Sequence, residues 1–360
     1  MRTREVVIEY RKTIADSGTE TIDIDLTDPV TQLDLWFFLK NGAAVAPNVP
    51  PASIISKIEL VDGSDVLWSL NGHEAIALYC FDRGKEPFRW LQEKAGMSQY
   101  ENFPICPGRF KGDQEYAFDF TRFTNPQLKI TWAKNALHAT GSLQYSLFAT
   151  VMEGVPTPKA WLMTKPVETF TSAASGDKRI DLPVDYPYRK LLVRAYESGT
   201  DMNDTITKLK LSVDMDKFIP FDLYSDDFIF LMWQWFKSVH LYKRDFITNG
   251  AARDTWMGVY CFGHICPDEG AEIVRATGTH GCQYTVGSID NAGSALDNVS
   301  VIYHAWGVTP ENTFCYPFGD QMKPEEWFKA PEFKSIRLFL TQGNADADVS
   351  AILQQERPYA

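Results

Sequence analysis

The sequence predicts an all-β protein built as two tandem copies of one eight-stranded sandwich. The first observation behind this is self-similarity. Ser17, Gly18, Ile22, Asp23, Pro29 and Leu33 return 158 residues later as Ser175, Gly176, Ile180, Asp181, Pro187 and Leu191. Ile55-Ser56-Lys57-Ile58-Glu59-Leu60 returns after 151 residues as Ile206-Thr207-Lys208-Leu209-Lys210-Leu211. Leu128-Lys129-Ile130-Thr131-Trp132 returns after 208 as Ile336-Arg337-Leu338-Phe339-Leu340. Blocks that keep their order outrank local patterns, because a repeat fixes the architecture of the whole chain. The second observation is period-two alternation, which puts Leu143, Tyr145, Leu147, Ala149 and Val151 on one face of a strand. The third is a capped helix at matching places in both copies.

In the first copy, strands are expected over 6–10, 21–26, 33–39, 54–60, 66–69, 116–119, 127–132 and 142–151, with turn residues such as Asn41-Gly42 and Asp62-Gly63 between them. Eight such strands fit a sandwich or jelly roll. Asn71, with Glu74 three residues on, forms a capping-box pattern ahead of Ala75, Ile76, Leu78 and Tyr79. In the second copy Asp222 falls at the cap position, and Asp226 and Asp227 suit the positive end of a helix over 225–237.

The copies divide as 1–155 and 167–360, joined by a stiff linker over 156–166 that holds Pro156, Pro158 and Pro166. The growth of the offset from 151 to 208 assigns the second copy an insertion, expected within 236–334 and forming a protrusion over that copy. Part of it, 299–306, reads as a strand.

A net charge of −12 opposes direct binding to nucleic acid, whose phosphates are neutralised by Lys and Arg. No apolar run reaches the roughly 18 residues of a membrane-spanning helix, and the N-terminal residues lack the apolar core of a signal peptide. Secretion is therefore not expected. Six cysteines in 360 residues read as reduced thiols, not as a disulfide framework.

The tandem duplication, the proline-bearing linker and one helix per copy resemble the double jelly-roll major capsid proteins of tailless icosahedral viruses with an internal membrane. So does the run from Asn102-Phe103-Pro104-Ile105 through Gly108 and Arg109 to Glu115-Tyr116-Ala117-Phe118-Asp119 and Asn125-Pro126-Gln127-Leu128. The resemblance implies a non-enzymatic shell protein, made in the host cytoplasm and found in the virion. It implies homotrimers of nearly hexagonal outline that tile an icosahedral capsid, with minor capsid and vertex proteins as partners. It implies no cofactor. The basic residues Arg2, Arg4, Arg11 and Lys12 are candidate contacts to the inner membrane or inner face, since basic residues near an anionic surface gain about 1 kcal/mol each. Charges that block pairing along an edge strand would look the same.

Other chemistry is weaker in the sequence. Cys261, His264, Cys266, His280 and Cys282 are zinc-type ligands, but their spacing matches no ribbon or finger, and alternation puts Cys261 and His264 on opposite faces of a strand. No metal site is expected from them. Carboxylates such as Asp119, Asp181 and Asp222 read as turns and caps. Phe228, Phe230, Leu231 and Trp235 have helical spacing and read as core, although exposed aromatics would suit a carbohydrate-binding or receptor-binding spike protein. A bicupin-like metalloenzyme also duplicates a jelly roll, but it needs clustered His ligands, and this chain has six His and no His-x-His.

Overall fold

Alternating apolar residues close two sandwiches, one after the other along the chain. The computed structural model describes residues 2–42, 50–92, 96–134, 141–247, 252–254, 256–267, 273–278, 283–289 and 299–359, with side chains outside 243–255 and 264–301. The first sandwich contains β1 (Arg2–Ile14), β2 (Ser17–Asp23), β3 (Val30–Lys40), the one-turn α1 (Pro51–Ile54), β4 (Ile55–Asp62), β5 (Asp65–Leu70), α2 (Gly72–Arg83), the short β6 (Arg89–Trp90), β7 (Ser98–Ile105), β8 (Pro126–Ala133) and β9 (Leu143–Glu153). One sheet has the order β1-β9-β3-β7-β6 and the facing sheet β2-β8-β4-β5, all antiparallel. Between them lie Leu33, Leu35, Phe37 and Leu39 of β3, the predicted Leu143-to-Val151 stripe of β9, and Ile22, Ile58, Leu60, Leu128 and Ile130 of the other sheet.

The second sandwich repeats the scheme. It contains β10 (Ala160–Thr171), β11 (Gly176–Leu182), β12 (Tyr188–Tyr196), α3 (Met202–Thr205), β13 (Ile206–Val213), β14 (Phe218–Tyr224) and α4 (Ser225–Trp235). An insertion follows, made of β15 (Val239–Ile247), β16 (Ala252–Asp254), β17 (Phe262–Pro267), β18 (Ile273–Gly278), β19 (Gln283–Ile289) and β20 (Val299–Gly307). Then come β21 (Thr313–Pro317), β22 (Ile336–Gln342) and β23 (Asp348–Pro358). The sheet orders β10-β23-β12-β21 and β11-β22-β13-β14 match β1-β9-β3-β7 and β2-β8-β4-β5 position for position. Even the one-turn helices α1 and α3 sit at equivalent places, immediately before β4 and β13.

Several expectations are corrected. Residues 116–119 make two isolated bridges, Tyr116 with Ala160 and Val30 with Phe118, and are not a strand. The eighth strand is β7, whose inward Gln99 and Glu101 are buried and break the apolar alternation. Asp222 caps no helix. It lies in β14 opposite Lys210, because the β13–β14 loop spans 214–217 whereas the β4–β5 hairpin turns in two residues, which delays α4 relative to α2. Register also moves the third repeat: Leu60 pairs with Leu128 and Leu211 with Leu338, so the counterpart of Leu128 is Leu338, not Ile336. A two-residue slip keeps every side chain on its own face, so alternation alone does not detect it.

Residues 160–166, expected as linker, are already strand β10, and the connection from β9 is only 154–159. Pro166 is tolerated because β10 is an edge strand with a register shift between Pro166 and Glu168. The insertion ends before Thr313, since β21 is the counterpart of β7. It consists of two three-stranded sheets, β15-β20-β17 and β16-β19-β18. It leans on both sandwiches, not only the second: Trp256 stacks on His73 with ring centroids 4.4 Å apart, and Tyr260 packs on Phe230 of α4.

The capping box of α2 is present. Asn71 Oδ1 accepts the Glu74 N–H and Glu74 Oε2 accepts the Asn71 N–H, each at 2.9 Å, and Gly84 closes the helix in the left-handed region (φ 65°). Asn71→Ala is expected to cost about 1 kcal/mol of stability, read as a lowered denaturation midpoint in chemical unfolding. An unchanged midpoint would mean that packing alone sets this helix end.

Candidate assembly faces

The first sandwich docks on the second through α2, and the seam is charged. Glu74 and Asp82 of α2 reach the outer side of the β10-β23-β12-β21 sheet, and Ala77, Leu78 and Phe81, buried as well, share their face of the helix. Glu74 Oε1 accepts from Ser350 Oγ at 2.5 Å, and Phe81 packs on Phe236. The Asp82 carboxylate accepts from Arg189 at 2.6 Å and from Lys190, and all three side chains are at most 2% exposed. Gln354 Oε1 accepts from Arg189 at 2.7 Å. Burial alone would push the Asp82 carboxyl up, but Lys190, Arg189 and Arg83 outweigh it and hold it well below the usual carboxylate range. Burial and Arg189 push Lys190 down, against the pull of Asp82. The two directions agree physically: two cations share one carboxylate, so the anion is over-stabilised and a cation is under-stabilised.

A second buried cluster joins the first sandwich to the end of the insertion. Arg89 donates to Glu101 at 2.5 Å and to Glu311 at 2.7 Å, and His73 Nδ1 lies 2.7 Å from the other Glu311 oxygen. Glu101 also accepts the Ala52 N–H. Burial pushes Arg89 down, but Glu101, Glu311 and Glu86 outweigh it and keep it charged. Burial raises the Glu101 carboxyl despite Arg89, and burial pushes Glu86 up to about 8. Glu86 Oε1 accepts the Tyr242 N–H of the insertion at 3.3 Å.

The Gly108-Arg109 loop is a third anchor. Arg109 makes a bidentate pair with Asp113 at 2.8 and 3.0 Å, reaches Glu115 at 2.7 Å, and donates to the Met322 carbonyl of the second sandwich at 3.0 Å. Gly108 is required there, since a Cβ would lie 2.4 Å from the Tyr116 carbonyl oxygen. Tyr116 in turn donates to Glu356 of β23 at 2.7 Å. Alongside, β10 runs past β5, with Trp161 Nε1 donating to the Leu67 carbonyl and Arg357 paired with Asp65.

Two aromatic faces remain open. On α4, Phe228, Ile229 and Met232 enter the core, whereas Phe230, Leu231 and Trp235 are 50%, 37% and 36% exposed. This corrects the reading of all four sequence-picked residues as core. An apolar residue on every side of a helix is the sign that it is covered on two sides, and that sign was present in the sequence. The second face is the outer side of the β1-β9-β3-β7-β6 sheet. There Trp36 stacks on Phe38 and packs on Phe88, Phe38 meets Tyr100 edge-on, and Phe88 and Trp90 are 54% and 48% exposed.

The N-terminal basic residues lie along the edge strand β1. Arg4 pairs with Asp28 at 3.0 Å and Glu153 at 2.5 Å, and Lys12 pairs with Glu20. The Arg11 guanidinium lies 3.4 Å above the Phe38 ring. Arg2 and Arg11 are separated by about 30 Å along the strand. Cys261 is half-buried, and burial pushes its thiol up to about 11, away from the thiolate a metal needs. His264 and Cys266 lie in β17, whose side chains there are outside the described set, and His280 and Cys282 lie outside the described residues. Among the described residues no group of three His, Cys, Asp or Glu side chains is placed to hold a metal ion.

No family model and no curated protein sequence matches the chain. Solved structures do. A chain in the atomic structure of Sulfolobus Turreted Icosahedral Virus matches with a TM-score of 0.63 at 10% identity, over 100% of this chain and 92% of its own. The chain has a double jelly-roll fold. The major capsid protein P2 of bacteriophage PM2 matches at a TM-score of 0.55 and 11% identity, over 100% of this chain and 98% of that one. A chain of the PBCV-1 virus capsid matches at 0.58 and 10%, over 99% and 93%. At such identities the likeness lies in the path of the backbone. In this double jelly roll, Asp82, Arg89 and Arg109 tie the first roll to the rest of the chain.

Proposed function

We propose that this chain is a viral major capsid protein, a non-enzymatic building block found in the virion shell. The observation that carries the reading is the whole-length double jelly roll, in which the two rolls are quasi-equivalent and locked to each other by buried charge. Two similar lobes in one chain let three chains give a nearly sixfold outline, and a closed ring of three is a cyclic heterologous assembly. Such trimers would then tile an icosahedral shell around an internal membrane, with minor capsid and vertex proteins completing it. The net charge of −12 suits a shell that lipid separates from its genome. Arg2 and Arg4, at one end of β1, are the proposed contacts to the inner face or its anionic lipid.

The test is negative-stain microscopy with analytical ultracentrifugation of the purified protein. Trimers of hexagonal outline are expected. A protein that stays monomeric at every concentration overturns the reading.

A further inference from the structure

Three side chains far apart in the sequence form a relay at the edge of the second buried cluster. Ser53 Oγ lies 3.1 Å from His73 Nε2, and His73 Nδ1 lies 2.7 Å from Glu311 Oε2. A hydroxyl on one ring nitrogen and a carboxylate on the other is the arrangement of a nucleophile, its base and the group that orients the base. It is recognised by geometry and not by order along the chain.

Local structure sets each member. Pro51, Ala52 and Ile54 of α1 are buried, and the turn presents Ser53 to solvent. The Ala52 N–H pins the turn by donating to Glu101 at 2.6 Å. The turn also approaches α2 closely: a Cβ on Gly72 would lie 2.5 Å from the Ala52 carbonyl oxygen. That approach brings His73, the second residue of α2, within reach of the Ser53 hydroxyl. The His73 ring is 8% exposed and is held by Trp256, stacked on it at 4.4 Å. Glu311 is fully buried. It and Asn312 have left-handed backbones (φ 54° and 58°), a conformation that residues with a Cβ seldom adopt and that gathers at functional sites.

The electrostatics fit the resting state of such a relay. Burial would raise the Glu311 carboxyl, but Arg89 of β6, then His73 and Arg194 of β12, hold it low, so it stays ionised. Burial pushes His73 down, and Arg194 and Arg89 add to that against the pull of Glu311, so the ring is neutral at pH 7. Glu101 of β7 is engaged by Arg89 and the Ala52 N–H. An ionised carboxylate only accepts, which places the ring proton on Nδ1 and turns the lone pair of Nε2 toward Ser53.

We propose that Ser53 is an acyl acceptor for an activated ester or thioester, with His73 as its general base and Glu311 as the positioning residue. Ser53 Oγ attacks the carbonyl carbon while its proton passes to His73 Nε2. Collapse breaks the bond to the alcohol or thiol, which leaves with that proton, and an ester remains on Ser53. Nothing is oxidised or reduced. The product is one modified serine per chain, a change that a shell protein can carry.

The experiment exposes the full-length protein to an alkyl fluorophosphonate. At a serine that carries a base, an Oγ–P bond replaces the P–F bond and fluoride is released. Ser56 is exposed, donates to the Thr131 carbonyl and serves as the internal reference. Peptide mass spectrometry should find Ser53 labelled about 100-fold faster than Ser56, the lower end of what a positioned base supplies. The rate should be level near neutral pH and fall only below about pH 6.5, the ordinary value of the ring, as His73 gains a proton. Ser53→Ala should keep the wild-type circular dichroism spectrum and lose the label. Glu311→Gln, where that spectrum shows it folded, should move the fall to lower pH, because the carboxylate is what raises the ring. A purely structural Glu311 would leave the profile in place. Labelling of Ser53 no faster than of Ser56, or a rate that climbs with pH and never levels, overturns the proposal whether or not that variant folds. Either result leaves the capsid reading, which microscopy tests, untouched.

Discussion

Asp82→Ala is expected to destabilise the chain by about 3–5 kcal/mol, the cost of breaking a buried ion pair from one side. The carboxylate is the charge shared by Arg189 and Lys190, and none of the three side chains is more than 2% exposed. Removing it leaves two cations facing each other inside the seam. Arg189 retains Gln354 and the Gln321 carbonyl as acceptors. Lys190 is already pushed down by burial and by Arg189, and without Asp82 it would shed its proton. That fixes the sign of the pH dependence. A base whose folded pKa falls below its unfolded value binds fewer protons when folded, so the variant should gain stability as pH rises through that lowered pKa. Adding Lys190→Met should recover part of the loss by removing the stranded charge. Thermal unfolding of the three proteins at several pH values checks this. A deficit below 1 kcal/mol, or one that deepens as pH rises, would mean the seam does not depend on this triad.

What the sequence made legible and what it hid divide along one physical line. Alternation, turn residues and the Asn71–Glu74 box are local, and they marked β9, α2 and the duplication correctly. Buried polar residues mislead the same reading. Gln99 and Glu101 lie inside the protein because Asn41, Arg89 and Ala52 satisfy them, and those partners lie in other elements, so alternation alone does not mark β7 as a strand. Likewise Asp82, Arg189 and Lys190 each look like ordinary surface charges until the fold brings α2 onto β12. The exposed stripe of α4 was hidden for the opposite reason: Phe230, Leu231 and Trp235 have the helical spacing of core residues, yet they lie on the open side of the helix.

The second large effect is expected at Arg89, with the opposite pH signature. Arg89→Leu removes the cation between Glu101 and Glu311, whose side chains are fully buried. Glu101 would keep the Ala52 N–H and Glu311 would keep His73, so the site would hold two carboxylates against a ring that burial pushes toward neutrality. The loss should again be about 3–5 kcal/mol near neutral pH. Burial already raises Glu101 despite Arg89, and Glu311 stays low because Arg89, then His73 and Arg194, oppose burial. Without Arg89 both carboxyls should move above their unfolded value of about 4.3. An acid raised in the folded state contributes stability that is complete below its unfolded pKa and disappears as pH rises through its folded pKa. The deficit of the variant should therefore be small near pH 5 and grow toward pH 8, by up to about 1.4 kcal/mol per pH unit for each extra proton held. Glu86, pushed up to about 8, gives the parent protein a decline of the same sign, so the quantity to read is the difference between variant and parent at each pH. Urea unfolding at pH 5, 6.5 and 8 measures it. A pH-independent difference would mean that the two carboxylates find other partners or water once Arg89 is gone, and that the second cluster, unlike the Asp82 triad, is not sealed from solvent.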